Sequence, residues 1–151
     1  MARPNQARLD LAALTHNLGI ARTLAGTARV MAVVKANAYG HGATTIARAL
    51  EPGVDALAVA CIEEALELRE SGVRAPVLLL EGIFERDELI TAVEHGFWLT
   101  IDNESQLVWL EEARLPAPAT CWLKIDTGMR RLGVAEHQAG EFYRRLRSSE
   151  N

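Results

Sequence analysis

The sequence predicts an α/β fold made of parallel βα units. Five short apolar runs recur about every twenty to twenty-six residues, and an amphipathic stretch follows each run. The runs are almost continuously apolar, as expected for strands that are buried on both faces of a sheet. Gly53, Gly72 and Gly96 stand where amphipathic stretches end, which suits C-terminal helix caps. The 151 residues are therefore predicted to form one α/β domain.

The first predicted element is an extra helix that precedes the repeating units. Asp10 is a good N-cap for residues 11–24, in which leucine and alanine recur at helical spacing. The predicted strands follow at residues 29–34, 56–60, 77–80, 97–101 and 120–125. The helices predicted after these strands are residues 43–50, 62–71, 85–94, 104–113 and 136–146.

Polar residues follow several of the predicted strands, at the strands' C-terminal ends. They are Lys35, Glu81, Asp102 and Asp126. In a TIM-type (β/α)8 barrel the catalytic groups project from this edge, although the spacing of the units alone also fits an open doubly wound sheet. Five units do not close an eight-unit barrel, so the barrel interpretation implies a partial barrel with about five of eight units present.

Lys35 is the residue that most clearly indicates chemistry. It ends the apolar run 30–34, where a cation is costly, so it is either a snorkelling side chain or an amine placed for a reaction. Gly40 and Gly42 follow, and the backbone amides at the start of the next helix favour an anion. An amine beside an anion pocket suits a phosphorylated aldehyde such as pyridoxal phosphate, which condenses with lysine and stabilises carbanions.

Composition and charge argue against several other classes of function. The net charge is -4, from 16 basic and 20 acidic residues, which does not favour nucleic acid or an anionic membrane as a partner. Residues 1–6 lack the apolar core of a signal peptide, and no apolar run is long enough to span a membrane, so a cytoplasmic location is predicted. Cys61 and Cys121 lie far apart without CxxC spacing, which indicates neither a metal site nor a disulfide framework.

Two segments resemble motifs of the alanine racemases. Residues 32–42, AVVKANAYGHG, are similar to the cofactor-lysine motif of that family, and residues 122–133, WLKIDTGMRRLG, are similar to a second motif. The resemblance covers essentially the whole chain but only the first part of the longer family sequence. It implies that residues 1–151 are the N-terminal part of a pyridoxal-phosphate-binding (β/α)8 barrel. The remaining barrel units and the C-terminal β domain are then absent from this chain.

The resemblance also implies roles for individual residues. Lys35 is expected to hold pyridoxal phosphate and to exchange the α-proton on the D-alanine face, and Tyr39 to contact the cofactor phosphate. Arg131 resembles the arginine that contacts the substrate carboxylate. Lys124, at a position that is carbamylated in the family, is expected to carry a carbamate that accepts hydrogen bonds from Arg131. The family's second base, a tyrosine of the partner subunit's C-terminal domain, matches neither Tyr39 nor Tyr143, the only tyrosines of this chain.

The predicted function is therefore alanine racemase, which interconverts L-alanine and D-alanine for peptidoglycan synthesis or alanine catabolism. The family resemblance implies a homodimer, and this chain is expected to be inactive or barely active alone because it offers one base of the two. The alternative is a non-catalytic pyridoxal phosphate carrier built on a related barrel, which only the missing second-base tyrosine favours. A third possibility is an open α/β binding domain in which the lysine is coincidental.

Overall fold

A parallel five-stranded sheet forms the centre of the computed structural model, which describes residues 7–151. The strand order is β1-β2-β3-β4-β5, so each strand pairs with its neighbour in sequence. A doubly wound sheet reverses its order at a switch point, whereas a barrel does not. The predicted parallel βα units are therefore confirmed, and their order is that of a barrel wall. The strands are β1 Met31–Val33, β2 Ala56–Val59, β3 Val77–Leu79, β4 Trp98–Ile101 and β5 Thr120–Leu123.

Apart from one short segment directly after β1, which was not predicted, the helices also follow the predicted order. They are α1 Leu11–Ala25, α2 Lys35–Gly40, α3 Ala43–Leu50, α4 Ile62–Glu70, α5 Glu88–Glu94, α6 Glu104–Glu112 and α7 Glu136–Ser148. The Asp10 side chain accepts a hydrogen bond from the Ala13 amide at 2.9 Å, which confirms the predicted cap of α1. None of the helices in the described part is long and apolar enough to cross a bilayer. Residues 1–6, on which the signal-peptide prediction was based, lie outside the described part.

The glycine stops are correct at two positions of three. Gly72 and Gly96 have φ values of 95° and 66°, and each follows a helix as a left-handed cap. Gly53 does not cap α3, because that helix ends at Leu50 and a single 3-10 turn, Glu51–Gly53, follows it.

One face of the sheet packs against the helices and forms the core. Alternate strand residues point to this face, where Leu57, Leu79 and Leu99 are fully buried against helix residues such as Leu68 and Leu107. The opposite, inner face is buried at its centre, for example at Leu78, but it is open at its edge, where Trp122 on β5 is 49% exposed. The Trp122 indole stacks on that of Trp98 with ring centroids 5.8 Å apart.

The predicted fifth strand, residues 120–125, is divided in two. Its first part is β5, and Ile125–Asp126 forms a separate strand, β6, that pairs in parallel with Val134–Ala135, β7. The Val134 amide donates to the Lys124 carbonyl at 2.9 Å, so the chain leaves the main sheet directly after β5. The segment between β6 and β7 is thereby closed into a loop at the C-terminal edge.

Candidate active site

Two lysine side chains reach the C-terminal end of the central strand, β3. Lys35 follows β1, and its Nζ lies 3.9 Å from Oε1 of Glu81, with the two side chains 28% and 30% exposed. Lys124 follows β5, and its Nζ donates a hydrogen bond to the backbone carbonyl of Leu80. Because Leu80 and Glu81 are adjacent, side chains from the two edge strands reach the same strand end. The sequence prediction that this edge gathers polar groups therefore agrees with the structure.

The Lys35 segment, α2, is a left-handed turn. Ala36, Asn37, Ala38 and Tyr39 have φ values of 50° to 55° and ψ values of 37° to 51°. This conformation costs an L-residue roughly 1–2 kcal/mol. Sequence reasoning missed the turn, because of these residue types only asparagine favours a positive φ. The turn persists only because other contacts hold it.

Hydrogen bonds fix both ends of the left-handed turn. Glu64 accepts the Ala36 amide with Oε1 at 2.6 Å and the Ala60 amide with Oε2 at 2.8 Å. At the other end, Oδ1 of Asn37 accepts the Ala43 amide at 2.8 Å. Glu64, in the first turn of α4, therefore connects the ends of β1 and β2 through their backbone amides. The Ala43 amide, predicted to be free for an anion at the helix start, is occupied by Asn37 instead.

Tyr39 and His41 lie at the end of this turn. Tyr39 is 61% exposed, so its hydroxyl stands open to solvent four residues after Lys35. His41 lies with Nδ1 2.9 Å from the Ala38 carbonyl, which is a local backbone contact. The turn thus offers one exposed phenol close in sequence to the amine.

Arg131 lies in the loop between β6 and β7. Asp126 shapes this loop, since its Oδ1 accepts the Arg130 amide at 3.0 Å and the Gly128 amide at 2.9 Å. These backbone hydrogen bonds, from Arg130 above all, hold the pKa of the Asp126 carboxyl below its usual value. The Arg131 side chain is exposed, and none of the ion pairs in the described part includes it.

A buried polar network, absent from the sequence predictions, joins the ends of β3 and β4. The Gln106 side chain accepts the Asp102 amide at 2.9 Å and donates to the Glu81 carbonyl at 2.9 Å and the Ile83 carbonyl at 3.1 Å. Asp102 is itself buried, and one of its carboxylate oxygens has no hydrogen-bond partner in the described part. The one sequence signal was a glutamine among the apolar residues of α6. Gln106 therefore holds the backbone of Glu81 in place.

The two cysteines are unsuited to nucleophilic chemistry. Burial raises the pKa of Cys121 to about 11, and burial is also the main cause that raises the pKa of Cys61. Both thiols are therefore neutral near pH 7. Over residues 7–151, no group of three or more His, Cys, Asp and Glu side chains has the proximity needed to hold a metal ion.

Comparison with known proteins identifies one family that has this fold and these motifs. The chain matches the family model "Alanine racemase, N-terminal domain" over residues 9–151. An alanine racemase of Pseudomonas syringae pv. syringae (strain B728a) is 56% identical over 144 residues, which are 95% of this chain and 40% of that protein. An alanine racemase of Xanthomonas campestris pv. campestris (strain 8004) is 57% identical over 133 residues, which are 88% of this chain and 37% of that protein.

Solved structures agree with the sequence matches. The crystal structure of biosynthetic alanine racemase from Pseudomonas aeruginosa has a TM-score of 0.88 and 43% identity, covering 93% of this chain and 39% of that chain. The structure of alanine racemase from Acinetobacter baumannii has a TM-score of 0.86 and 38% identity, covering 93% and 40%. The chain spans about two fifths of the length of these relatives. It belongs to the alanine racemase family, whose N-terminal barrel domain it matches.

Proposed function

We propose that residues 1–151 carry the cofactor-lysine part of an alanine racemase, an isomerase that interconverts L-alanine and D-alanine with pyridoxal phosphate. The observation that carries the proposal is the position of the Lys35 amine. It lies at the C-terminal edge of a barrel-type sheet, beside Glu81 and within a family match that spans the described chain. By the same resemblance we propose a cytoplasmic location and a homodimeric assembly for the whole protein.

The residues at this edge fit pyridoxal phosphate. The Lys35 amine is partly exposed, so a small aldehyde can reach it from the inner face. The Tyr39 hydroxyl is open to solvent and is able to donate a hydrogen bond to a phosphate oxygen. When bound, the cofactor delocalises the negative charge that remains after a proton leaves the α-carbon of an amino acid. We therefore assign Lys35 and Tyr39 to cofactor binding.

The proposed roles divide the reaction between the two faces of the substrate. The Lys35 Nζ takes and returns the α-proton on the D-alanine face, and the Arg131 guanidinium binds the substrate carboxylate. A second base has to act on the opposite face for the centre to invert. Tyr39 lies on the same turn as Lys35, and Tyr143 is exposed on α7. We assign neither to that second role, which in the family belongs to a tyrosine of the partner subunit's C-terminal domain.

Proton exchange in deuterated water tests this division. With added pyridoxal phosphate, we expect the chain to exchange the α-proton of D-alanine for deuterium faster than that of L-alanine. Inversion should be at least about a hundredfold slower than in a full-length family member, because a positioned acid or base contributes roughly 10²–10⁴-fold. Proton NMR measures the exchange, and chiral chromatography measures the inversion.

The outcomes of this measurement separate the candidate functions. A non-catalytic carrier, favoured only by the missing second-base tyrosine, retains the cofactor but exchanges neither enantiomer. An unrelated α/β binding domain does not retain the cofactor at all. Inversion at the rate of a full-length relative contradicts the assignment of a single base to this chain.

We also propose that Lys124 is carbamylated. Its neutral amine attacks carbon dioxide, an N–C bond forms, and a proton is released to solvent. The resulting anion accepts hydrogen bonds from the Arg131 guanidinium and relieves repulsion between the cations of the site. The proposal is carried by the family resemblance and by the position of Lys124 at the same strand end as Lys35.

Native mass spectrometry tests the carbamate directly. In bicarbonate-containing buffer we expect a carbon-dioxide-sized adduct on the intact chain, lost on acidification because carbamates decompose in acid. Lys124→Arg is the matched control, since it keeps a cation but has no nucleophilic amine. An adduct that persists in that variant, or no adduct in the original chain, removes the proposal.

A further inference from the structure

We propose that Glu64 is a positioning residue for Lys35, because its carboxylate fixes the left-handed turn from which the Lys35 side chain extends. The inference rests on the proposed function of Lys35 as the cofactor lysine. It assigns a role to a carboxylate that forms none of the ion pairs of the Lys35 amine in the described part and that has no contact with the substrate in the proposed function.

The first argument is the geometry of the Glu64 carboxylate. Oε1 accepts the amide of Ala36, the residue directly after Lys35, and Oε2 accepts the amide of Ala60, directly after β2. One side chain therefore ties the ends of two neighbouring strands together at the level of the Lys35 backbone. Hydrogen bonds to a carboxylate are about twice as strong as those between neutral groups, so the two Glu64 hydrogen bonds hold these strand ends strongly.

The second argument is the strain of the segment that the carboxylate holds. Four consecutive residues without glycine have φ near 50°, and Ala36 is the first of them. Without an acceptor for its amide, we expect Ala36 to return to a negative φ, which has a lower energy for an L-residue. Such a change rotates the peptide that follows Lys35 and moves the origin of its side chain. The strain thus makes the amine's position depend on Glu64.

The third argument is that neighbouring glutamates lack these contacts. Glu63 is exposed in the same first turn of α4, so it shares any favourable effect of the helix dipole. Glu67 stands one turn later, and among residues 7–151 its side chain accepts one hydrogen bond, from the Thr44 hydroxyl at 3.4 Å. A general benefit of acidic residues at this helix start therefore does not distinguish Glu64, whereas its two backbone hydrogen bonds do.

The experiment compares Glu64→Ala and Glu64→Gln with the control Glu63→Ala. Amide hydrogen exchange is measured at Ala36 and Ala60, and the rate of pyridoxal phosphate attachment to Lys35 is measured by borohydride trapping and peptide mapping. We expect Glu64→Ala to lose protection at both amides and to slow attachment about tenfold or more, since a displacement of about 1 Å costs on the order of a hundredfold. Glu64→Gln offers one acceptor oxygen and should give an intermediate result. Glu63→Ala should match the original chain in both measurements.

The two readouts keep this inference separate from the proposed function. If the original chain attaches cofactor and both Glu64 variants attach it at the original rate, the positioning role is overturned, whatever happens to the melting temperature. If the original chain attaches no cofactor, the proposed function fails. Amide exchange then tests the role of Glu64 by itself. Retained protection of the Ala36 amide in Glu64→Ala overturns the positioning role. Should Glu64→Ala fail to fold, Glu64→Gln carries both measurements.

Discussion

Replacing Lys35 by alanine should abolish covalent retention of pyridoxal phosphate. The link needs an unhindered primary amine, and alanine supplies none. After borohydride reduction and removal of free cofactor, we expect about one cofactor per original chain and only background labelling in Lys35→Ala. Mass spectrometry of the digested protein then locates the modification. We expect it on the peptide that contains Lys35.

Two further variants isolate the cause of this loss. Lys35→Arg keeps a cation beside Glu81 but cannot condense with an aldehyde, so it should lose retention as completely as Lys35→Ala. Lys124→Arg removes the second amine at the same strand end and should keep the label at Lys35. Labelling that follows Lys124 instead of Lys35 contradicts the assignment of the cofactor lysine.

The loss in Lys35→Ala should not come from unfolding. The Lys35 and Glu81 side chains are partly exposed and their charged atoms are 3.9 Å apart. Partly exposed pairs of this kind contribute about 0–1 kcal/mol. The unfolding free energy of Lys35→Ala, measured in urea, should therefore stay within about 1 kcal/mol of the original value. A larger drop gives Lys35 a structural role that its contacts do not indicate.

The sequence was sufficient for the order of the βα units because buried parallel strands leave continuous apolar runs. Residues 43–50 were predicted as a helix with the bounds that α3 has, since Gly42 and the apolar spacing mark its start. Strand ends were less accurate, and the first strand is Met31–Val33 rather than residues 29–34. Spacing alone did not distinguish a barrel wall from a doubly wound sheet. The unreversed strand order, a long-range property, made that distinction.

The site was predictable where a residue follows a strand or matches a family motif. Lys35 was found because parallel strands bring their C-terminal ends to one edge, whereas Lys124 lies within the predicted strand 120–125 and was identified through the family resemblance. Glu64 and Gln106 were not, because each acts by accepting or donating hydrogen bonds with the backbone of distant segments. Such contacts leave no periodic pattern in the sequence. The exposed position of Arg131 likewise depends on the β6–β7 loop, which the strand pattern did not predict.

Gly82→Ala should cause the largest loss of stability among single changes near the site. Gly82 has a φ of 69°, and a Cβ built there would lie 2.2 Å from the Thr100 carbonyl oxygen and 2.6 Å from Nε2 of Gln106. Real contacts of this kind are well above 3 Å, and the carbonyl belongs to the sheet backbone, so it cannot move aside cheaply. We expect the variant to lose about 3–5 kcal/mol of unfolding free energy, through overpacking, a strained φ and disruption of the Gln106 hydrogen bonds. Urea unfolding measures the change.

Gly96→Ala separates the clash from the backbone strain. Gly96 has nearly the same φ, 66°, but a Cβ there would meet no atom within 4 Å, so the variant should lose only about 1–2 kcal/mol. The difference between the two variants is then the cost of crowding the ends of β3 and β4. Because Gly82 follows Glu81 directly, Gly82→Ala should also slow cofactor attachment at Lys35, whereas Gly96→Ala should leave that rate unchanged. Equal losses in both variants contradict the close packing of Gly82 against Thr100 and Gln106 at the strand end that both lysine side chains reach.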